Sequence, residues 1–203
     1  EYDIPVIILF HKQDIAPPIL KFTNKSEGSQ INLTLDQIVL YYQKLGYECL
    51  KTSIYDNKEL KNLSRLLKYK ANILLGLSGA GKSSILNVVT DSQRAIVGEL
   101  STQNKKGKHT TSATTLYPLG SNTKEGFLID SPGIRRFGLW HLDKQKVLSG
   151  FEELNLASRN CRFRNCTHEK NSKDCGIQNF VKISPEIVSL RLRHYFRIIN
   201  EMC

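Results

Sequence analysis

The chain is short of acidic residues and of long hydrophobic segments. It has 19 Asp and Glu against 29 Lys and Arg, a formal net charge of +10. No apolar run approaches the roughly 18–20 residues that span a bilayer. The first residues, Glu1-Tyr2-Asp3, are polar and acidic, unlike a signal peptide. With 40% hydrophobic and 24% charged residues, the composition is typical of a globular protein. We therefore expect a soluble, cytoplasmic protein with no membrane partner.

Methionine is also scarce, and the chain does not begin with one. It enters a strand-like apolar run at Ile4, so we expect a further domain upstream of Glu1. The positive charge is uneven, because nine Lys or Arg but only three acids lie between Arg159 and Arg197. A solvated lysine-rich surface is one explanation, but the clustering favours a nucleic-acid partner.

The cysteines lack the spacing of a disulfide framework. Two of the five are isolated, whereas Cys161, Cys166 and Cys175 fall within fifteen residues that include His168. Three thiolates and one imidazole form a closed tetrahedral set suited to structural Zn²⁺. This pattern favours metal ligation in the cytosol over oxidised pairs. Buried intracellular cysteines beside a surface histidine are the alternative.

A glycine-rich segment, Gly76-Leu77-Ser78-Gly79-Ala80-Gly81-Lys82-Ser83, follows a predicted strand (72–75) and precedes a predicted helix (83–89). In that context its backbone N–H groups bind phosphates. Lys82 then bridges the β- and γ-phosphates, and the Ser83 hydroxyl binds Mg²⁺. An unrelated glycine-rich turn is the alternative, against which the preceding strand argues. The residues expected to contact nucleotide here are Gly76, Ser78, Gly79, Ala80, Gly81, Lys82, Ser83 and Ser84.

A second phosphate-sensing motif, Asp130-Ser131-Pro132-Gly133, follows a predicted hairpin of strands 113–119 and 126–129. Asp130 is placed to hold a Mg²⁺-bound water, and Gly133 to present its N–H to the γ-phosphate. Between the two motifs, a polar loop over 91–112 is expected to be mobile. Thr111, with Thr110 close behind, is expected to complete the Mg²⁺ shell.

The residue that activates water is less obvious. Ras-like enzymes place a Gln directly after the glycine of D-x-x-G, whereas Ile134 stands there in this chain. An isoleucine cannot polarise water, so intrinsic hydrolysis is expected to be slow. We nominate His109, the only histidine in the 91–112 loop, to orient or deprotonate the water. An exposed loop histidine without a catalytic role is the alternative.

Base-reading residues stand near the start of the chain, in His11-Lys12-Gln13-Asp14. Asp14 is placed to accept hydrogen bonds from the guanine N1–H and 2-amino group, which adenine lacks, and the stem of Lys12 to cover the purine. Thr52-Ser53-Ile54, at the end of the next predicted strand, is placed to reach the guanine carbonyl through backbone amides. GTPases usually have Asn-Lys-x-Asp at the end of the domain. If the three motifs share one site, the chain is a circularly permuted GTPase that favours GTP over ATP.

Alternating strands and helices predict an α/β fold, with a mainly parallel sheet and helices on both faces. We predict strands at 4–10 and 47–53, a helix that carries Leu35 to Tyr42 on one face and ends near Gly46, and helices at 57–67 and 185–202. Residues 1–155 are expected to form the permuted P-loop GTPase domain. Residues 156–203 are expected to form a small zinc-binding, helical C-terminal module.

The joint set of motifs resembles the RsgA (YjeQ) family of ribosome-small-subunit-dependent GTPases. The matching segments are GLSGAGKSSILN (76–87), KGKHTTSATTLYPL (106–119), LIDSPGIRRFGLW (128–140), CRFRNCTH (161–168) and the permuted HKQD (11–14). The resemblance implies a GTPase that acts late in small-subunit maturation, is stimulated by the subunit, and carries its permuted domain between an OB-fold and a zinc module. Ile134 matches the family's nonpolar residue after D-x-x-G. Two features differ: His11 replaces the usual Asn, and no OB-fold precedes Glu1.

The sequence thus predicts a monomeric GTPase that requires GTP, Mg²⁺ and Zn²⁺ and binds the small ribosomal subunit and its rRNA. Basic residues around the cysteines, with Phe163, are expected to contact RNA through phosphates and stacking. An ATP-dependent P-loop protein is one rival. A non-catalytic rRNA-binding module that keeps nucleotide as a structural ligand is the other. A related permuted family acts on the large subunit, but the His-Thr-Thr segment and the cysteine cluster argue against it.

Overall fold

A computed structural model describes residues 4–23, 30–77, 79–90, 96–97, 115–120, 123–130 and 141–202. The chain forms two compact units: unit 1 comprises Glu1–Ala16 and Cys49–Phe137, and unit 2 comprises Pro17–Glu48 and Gly138–Cys203. The helices in these described ranges are all too short or too polar to cross a membrane.

Strands and helices alternate through the first half of the chain, and helices dominate after 141. In chain order the elements are β1 (Ile7–His11), β2 (Leu20–Thr23), β3 (Gln30–Leu33), α1 (Leu35–Lys44), β4 (Glu48–Thr52), α2 (Asn57–Leu67), β5 (Ala71–Ile73), α3 (Lys82–Val89), β6 (Ile96–Val97), β7 (Thr115–Pro118), a 3-10 turn (Thr123–Glu125), β8 (Phe127–Asp130), α4 (Lys144–Ser149), α5 (Glu152–Ser158), α6 (Gly176–Ile183) and α7 (Glu186–Glu201).

The described residues of unit 1 form two sheets. One pairs β1 with β4, and the other has the order β5-β8-β7-β6. In the second sheet β5 lies parallel to β8, whereas β7 pairs antiparallel with both β8 and β6. The predicted hairpin at 113–119 and 126–129 is confirmed. The expected mainly parallel sheet is wrong for these four strands, because the hairpin contributes antiparallel neighbours.

The core of unit 1 joins its helices to its central strand. Leu63 and Leu67 of α2 pack with Ile85 and Leu86 of α3 and with Leu128 of β8. Leu63 and Leu67 are four residues apart, which places both on one face of α2. The Asp56 carboxylate caps α2 by accepting from the N–H groups at 58 and 59. The packing fixes the β5–α3 connection, where the phosphate loop lies.

Unit 2 brings an early segment of the chain together with the C-terminal helices. β2 and β3 form an antiparallel hairpin, which the sequence analysis did not predict. A capping box between Thr34 and Gln37 begins α1. Buried apolar side chains from β3 and from α4–α7 form one core, which includes Cys175. The helices α4, α5 and α6 were not predicted individually.

A buried ion pair ties the early segment to α5 and α7. Arg191 of α7 donates through Nε and Nη2 to the Glu153 carboxylate of α5, and its Nη1 lies 3.2 Å from the Tyr42 hydroxyl of α1. These contacts and the shared core explain why residues 17–48 belong to unit 2. The boundaries of the compact units therefore differ from those of the predicted domains, 1–155 and 156–203. The division into a GTPase domain and a zinc module stays a prediction.

Candidate functional site

The glycine-rich segment 76–83, called here the phosphate loop, connects β5 to α3 as the sequence predicts. Gly79 and Gly81 have φ of 78° and 94°, a left-handed conformation that favours glycine. Lys82 begins α3, and its Nζ donates to the carbonyl oxygens of Gly76 and Leu77, both at 2.8 Å. The lysine therefore holds its charge over the loop, where a phosphate group would need it.

The first turn of α3 and the end of β8 lie on the same side of unit 1. Lys82 and Ser83 line a small cleft together with Ile129 of β8. Asp130 follows Ile129 and ends β8, which is parallel to β5. The carboxyl ends of parallel strands share one edge of a sheet. The motif beginning at Asp130 thus starts beside the phosphate loop.

Residues 11–14, called here the base loop, follow β1 and are held by the last residue of β4 and its neighbour. Nδ1 of His11 lies 3.0 Å from the Thr52 hydroxyl. The Ser53 hydroxyl donates to the Asp14 carboxylate at 2.6 Å. Thr52 and Ser53 are buried, so they form a fixed support. Asp14 itself is exposed, and its carboxylate is free to meet a ligand from solvent.

The electrostatics of the base loop follow from these bonds. The hydrogen bond from Ser53 lowers the pKa of Asp14 below its ordinary value, and the charges of His11 and Lys12 act in the same direction. Asp14 is therefore an ionised acceptor at neutral pH. Burial lowers the pKa of His11, although the Asp14 carboxylate opposes that effect. The imidazole is therefore predominantly neutral at pH 7.

The base loop contacts the phosphate loop at two points. Nζ of Lys12 donates to the carbonyl of Gly79 at 2.7 Å. The His11 ring lies against Gly81, where it fills the space that a side chain at 81 would need. The structure thus brings together the predicted residues His11, Lys12, Asp14 and Ser53 with the phosphate loop, across more than sixty residues of sequence.

Several predicted residues lie outside the described part of the chain, and their roles stay predictions. Asp130 is described as the last residue of β8, without its side chain. Ala80 and Ser84 are described and exposed, beside Gly79 and in the first turn of α3 respectively. The remaining residues, which fall outside the described ranges, are Ser78, His109, Thr110, Thr111, Gly133 and Ile134.

The cysteine cluster in unit 2 gathers the predicted ligands Cys161, Cys166, His168 and Cys175. Their ligand atoms all lie within 4.8 Å of one another. The sulfurs of Cys161 and Cys175 are 3.9 Å apart, and each lies 3.6 Å from Nδ1 of His168. With Zn–S of about 2.3 Å and Zn–N of about 2.0 Å, a tetrahedral ion sets these separations at about 3.8 Å and about 3.5 Å. The donor set and its spacing therefore fit Zn²⁺.

The peptide around the cluster orients the ligands. The N–H of Gly176 donates to the Cys161 sulfur at 3.3 Å, and that of Gln178 to the Cys175 sulfur at 3.5 Å. The Gln178 amide also donates to the carbonyl of His168 at 2.7 Å. These donors come from the start of α6, whose partial positive charge favours thiolates.

Ionisation of the cluster depends on its surroundings. Burial raises the pKa of Cys175 to about 11. Burial also lowers the pKa of His168, which keeps a neutral imidazole available as a ligand. For Cys166 burial acts upward, but hydrogen bonds, led by the N–H of His168, outweigh it and lower the pKa. A bound cation is the ordinary means of ionising three adjacent thiols.

The sequence missed the residues that support both sites. Thr52 holds His11, and Gln178 holds the His168 segment, but neither carries a motif. Thr52 had one available signal, since it directly precedes Ser53 at the end of a predicted strand. Gln178 had none, because α6 was not predicted as a helix. Supporting residues of this kind are set by tertiary contacts rather than by local spacing.

Comparison with known proteins gives concordant matches. The RsgA GTPase family model matches residues 2–140. "Small ribosomal subunit biogenesis GTPase RsgA" of Histophilus somni (strain 129Pt) is 36% identical over 200 residues, which cover 98% of this chain and 53% of that protein. The protein of the same name from Hahella chejuensis is 37% identical over 195 residues, covering 96% and 51%. The chain thus spans about half the length of the curated relatives it matches.

Solved structures agree on the fold. The crystal structure of YloQ, a circularly permuted GTPase, matches with a TM-score of 0.62 at 22% identity, covering 97% of this chain and 56% of that one. YjeQ from Thermotoga maritima matches with a TM-score of 0.63 at 21% identity, covering 98% and 60%. The order of elements in this chain, with the base loop before the phosphate loop, is therefore that of a known permuted fold.

Proposed function

Because the chain belongs to the RsgA GTPase family, we propose that it hydrolyses GTP to GDP and phosphate and acts in late maturation of the small ribosomal subunit. The names of its relatives support that partner. The proposal extends to stimulation of hydrolysis by the subunit. It includes action in the cytoplasm, as a monomer, without a membrane partner.

One observation carries the GTPase assignment. Lys12 of the base loop donates to Gly79 of the phosphate loop at 2.7 Å, so the two motifs belong to one site. A glycine-rich turn with an unrelated function would not be expected to contact a loop that also carries an ionised, exposed carboxylate, that of Asp14. The contact supports the proposal that a guanine-binding loop and a phosphate-binding loop form a single nucleotide pocket.

The proposed roles follow from the chemistry of each group. Asp14 accepts from the guanine N1–H and 2-amino group, and the Lys12 stem covers the purine. N–H groups of the phosphate loop donate to the β-phosphate, while Lys82 neutralises charge between the β- and γ-phosphates. Gly133 donates its N–H to the γ-phosphate. His109 orients or deprotonates the attacking water.

Magnesium is proposed at the same site. Ser83 lies at the first turn of α3 beside Lys82, which suits a hydroxyl ligand, with Thr111 as the second ligand and Asp130 holding a coordinated water. When bound, Mg²⁺ supplies positive charge to the oxygens of the transferred phosphoryl group. The residues of this chain would then hold the base of the nucleotide at the base loop and its phosphates at the phosphate loop.

Zinc is proposed as a structural ion in unit 2. The four ligands Cys161, Cys166, His168 and Cys175 leave no open position for catalysis. Exposed cations surround the cluster, and the Arg162 guanidinium lies 5.6 Å from the centre of the Phe163 ring. We propose that this surface binds rRNA through phosphate contacts and stacking. RNA affinity should then fall steeply with salt, and a flat dependence would contradict the RNA surface.

The proposed function is tested by GTP hydrolysis with and without purified small subunits, with ATP as the control nucleotide. We expect slow intrinsic hydrolysis and GTP-selective stimulation. Lys82→Ala should abolish stimulated hydrolysis, whereas Lys61→Ala on the exposed side of α2 removes a similar charge and should not. Equal use of ATP would favour the ATP-dependent rival. Full biological activity of Lys82→Ala would favour a non-catalytic RNA-binding module.

A further inference from the structure

Three exposed residues lie together beside the cysteine cluster of unit 2. Arg162 and Phe163 directly follow Cys161, and Asp174 directly precedes Cys175. Because the sulfurs of these two cysteines lie 3.9 Å apart, the cluster brings Arg162 and Asp174 together although twelve positions of sequence separate them. The three exposed residues are called here the aromatic platform.

Arg162 is fixed to Asp174 by two hydrogen bonds. Its backbone N–H donates to the Asp174 carbonyl at 3.2 Å, and Nη1 of its guanidinium donates to the Asp174 carboxylate at 3.0 Å. The guanidinium carbon also lies 5.6 Å from the centre of the Phe163 ring, and Phe163 is 48% exposed. The platform therefore presents a carboxylate, a guanidinium and an open aromatic surface side by side.

A stabilising role does not explain this arrangement. The side chains of Arg162 and Asp174 are 67% and 48% exposed, and a surface ion pair of this kind adds little to folding stability. Asp174 also has a φ of 52°, in the left-handed region that is uncommon for residues other than glycine. Such backbone conformations gather at ligand-binding sites. A binding role accounts for both features.

We propose that the aromatic platform binds one unpaired guanine of RNA. The base stacks on Phe163, its N1–H and 2-amino group donate to the Asp174 carboxylate, and its O6 accepts from Arg162. The inference rests on the proposed function, because it deepens the rRNA contact proposed for the same surface. It adds the recognition of one base, which phosphate contacts and stacking do not provide.

The hydrogen-bonding edges of the bases favour guanine. A carboxylate only accepts hydrogen bonds, and guanine alone among the four RNA bases has two adjacent donor nitrogens, N1 and N2. Adenine and cytosine place one amino donor beside an acceptor nitrogen, and uracil has one donor between two carbonyl oxygens that a carboxylate repels. Guanine exposes this edge only where it is unpaired. The proposal therefore names a single-stranded guanine.

The platform has free capacity for such a base. Each carboxylate oxygen of Asp174 has two lone pairs, so the hydrogen bond from Arg162 to one oxygen leaves both oxygens able to accept. The guanidinium has five N–H donors, of which the bond to Asp174 uses one. The O6 atom of guanine lies beside N1, as the guanidinium lies beside the carboxylate. The donor and acceptor order of the pair thus matches the edge of the base.

The test uses pentanucleotides of sequence UUNUU, in which N is guanine, inosine, adenine, cytosine or uracil. Binding to the 203-residue chain is measured by fluorescence anisotropy at one salt concentration, with Zn²⁺ and with saturating GDP to occupy the nucleotide site of unit 1. Guanine should bind about tenfold more tightly than adenine, cytosine or uracil. Inosine, which lacks the 2-amino group, should fall between guanine and the others.

Asp174→Asn replaces an acceptor oxygen by a donor, and asparagine also adopts the left-handed conformation. This variant should bring the five RNAs within about twofold of one another, without weaker binding of UUUUU, because a negative charge is lost. Glu169→Gln is the matched control, since it removes the same charge from the same loop and should keep the guanine preference. Phe163→Leu should weaken all five RNAs about fivefold or more. Metal analysis of each variant checks the cluster.

Equal affinity of the wild type for all five RNAs would overturn the inference and leave the proposed rRNA surface standing. A guanine preference that survives in Asp174→Asn, or that disappears in Glu169→Gln as well, would also overturn it. A preference that disappears in Asp14→Asn would belong to the nucleotide site instead. Binding of GDP without binding of any RNA would overturn the RNA contact in the proposed function itself. The base series on the wild type decides the question even if Asp174→Asn loses its metal.

Discussion

The two compact units build their candidate ligand sites in opposite ways. In unit 1 the candidate site is formed by loops that meet through a few contacts, such as the hydrogen bond from Lys12 to Gly79. The carboxylate proposed to bind guanine, that of Asp14, is exposed. In unit 2 the ligands belong to the core: Cys175 is one of thirteen buried side chains there, against five in the main core of unit 1, counted over the described residues. A substitution of a ligand-binding residue should therefore affect mainly the binding site in unit 1, whereas it should destabilise the whole core of unit 2.

Removal of zinc should have the largest effect, and it tests whether the cluster supports the core. Cys175→Ser, or chelation with 1,10-phenanthroline, should abolish the cooperative unfolding transition of unit 2. Structural zinc contributes about 10–16 kcal/mol in zinc-finger peptides, so a loss of about 5 kcal/mol or more is expected. Calorimetry and metal analysis provide the measurement, with GTP affinity retained in unit 1.

Cys49→Ser is the matched control, because Cys49 lies in unit 1 and outside the cluster. It should keep the zinc content and the unit 2 transition of the wild type. A Cys175→Ser protein that melts like the wild type would show that the core does not depend on the metal, and the contrast between the units would fail.

The buried ion pair should give the next largest effect. The side chains of Arg191 and Glu153 are only 9% and 7% exposed. Arg191→Met leaves the Glu153 carboxylate buried without its partner, which should destabilise unit 2 by about 3–5 kcal/mol. Denaturant unfolding measures the change, and GTP affinity should not follow it.

Arg197→Met on the same helix is the control, since its pair with Glu201 is 77% and 66% exposed. Such a surface pair contributes about 0–1 kcal/mol. A double substitution, Arg191→Met with Glu153→Leu, should recover much of the lost stability because no charge remains buried. Equal losses in the single and double variants would contradict an electrostatic origin.

A change at Asp14 should be strong for ligand binding and nearly silent for folding. Asp14→Asn loses an ionised acceptor for the guanine N1–H and 2-amino group, so GTP affinity should fall about tenfold or more. The new amide donates to the 2-carbonyl of xanthine, so xanthosine triphosphate should bind better than to the wild type. Nucleotide titration measures both, and the gained ligand shows that the variant is folded. An Asp14→Asn variant that binds neither nucleotide, or that changes the unfolding transition of unit 1, would contradict the expectation that this residue acts on binding alone.

The sequence predicted unit 1 better than unit 2 for a physical reason. Motifs such as HKQD and GLSGAGKS are read from local spacing, and the helix at 57–67 was predicted with the bounds that α2 has. The β2–β3 hairpin has strands of only four residues, and α4–α6 have six to eight, too short for a clear period. Their formation depends on packing with α7, which spacing along the chain does not reveal.

The candidate sites show the same division. The four cysteine-cluster ligands and the base loop were identified from residue type and order. That Thr52 supports His11, and that Arg191 lies in the core rather than on the basic surface, could not be seen, since both depend on contacts across 41 and 38 residues of sequence. The sequence analysis included Arg191 among the nine Lys and Arg residues between 159 and 197. In the structure its charge is instead neutralised by Glu153, with which it forms a buried ion pair.

The smallest effect should come from His194, and it sharpens the comparison by testing acid sensitivity in unit 2. Partial burial of the imidazole, together with the charges of Arg193, Arg191 and Arg197, lowers the pKa of His194, although the residue keeps much of its surface in solvent. The unfolded chain takes up this proton near pH 6.5, whereas the folded chain resists it to lower pH. Below about pH 6.5 the unfolded state therefore binds more protons, and stability falls as the pH drops.

His194→Gln removes this contribution, so its unfolding temperature should fall less than that of the wild type between pH 7.5 and 5.5. Because His194 is exposed, the difference should stay below about 2 °C. Acid would also release any zinc bound to the cysteine cluster, but that loss would be common to both proteins and would cancel in the comparison. An identical pH dependence would show that His194 does not contribute to the acid sensitivity of unit 2 and would direct attention to its other titratable groups, the cysteine cluster among them.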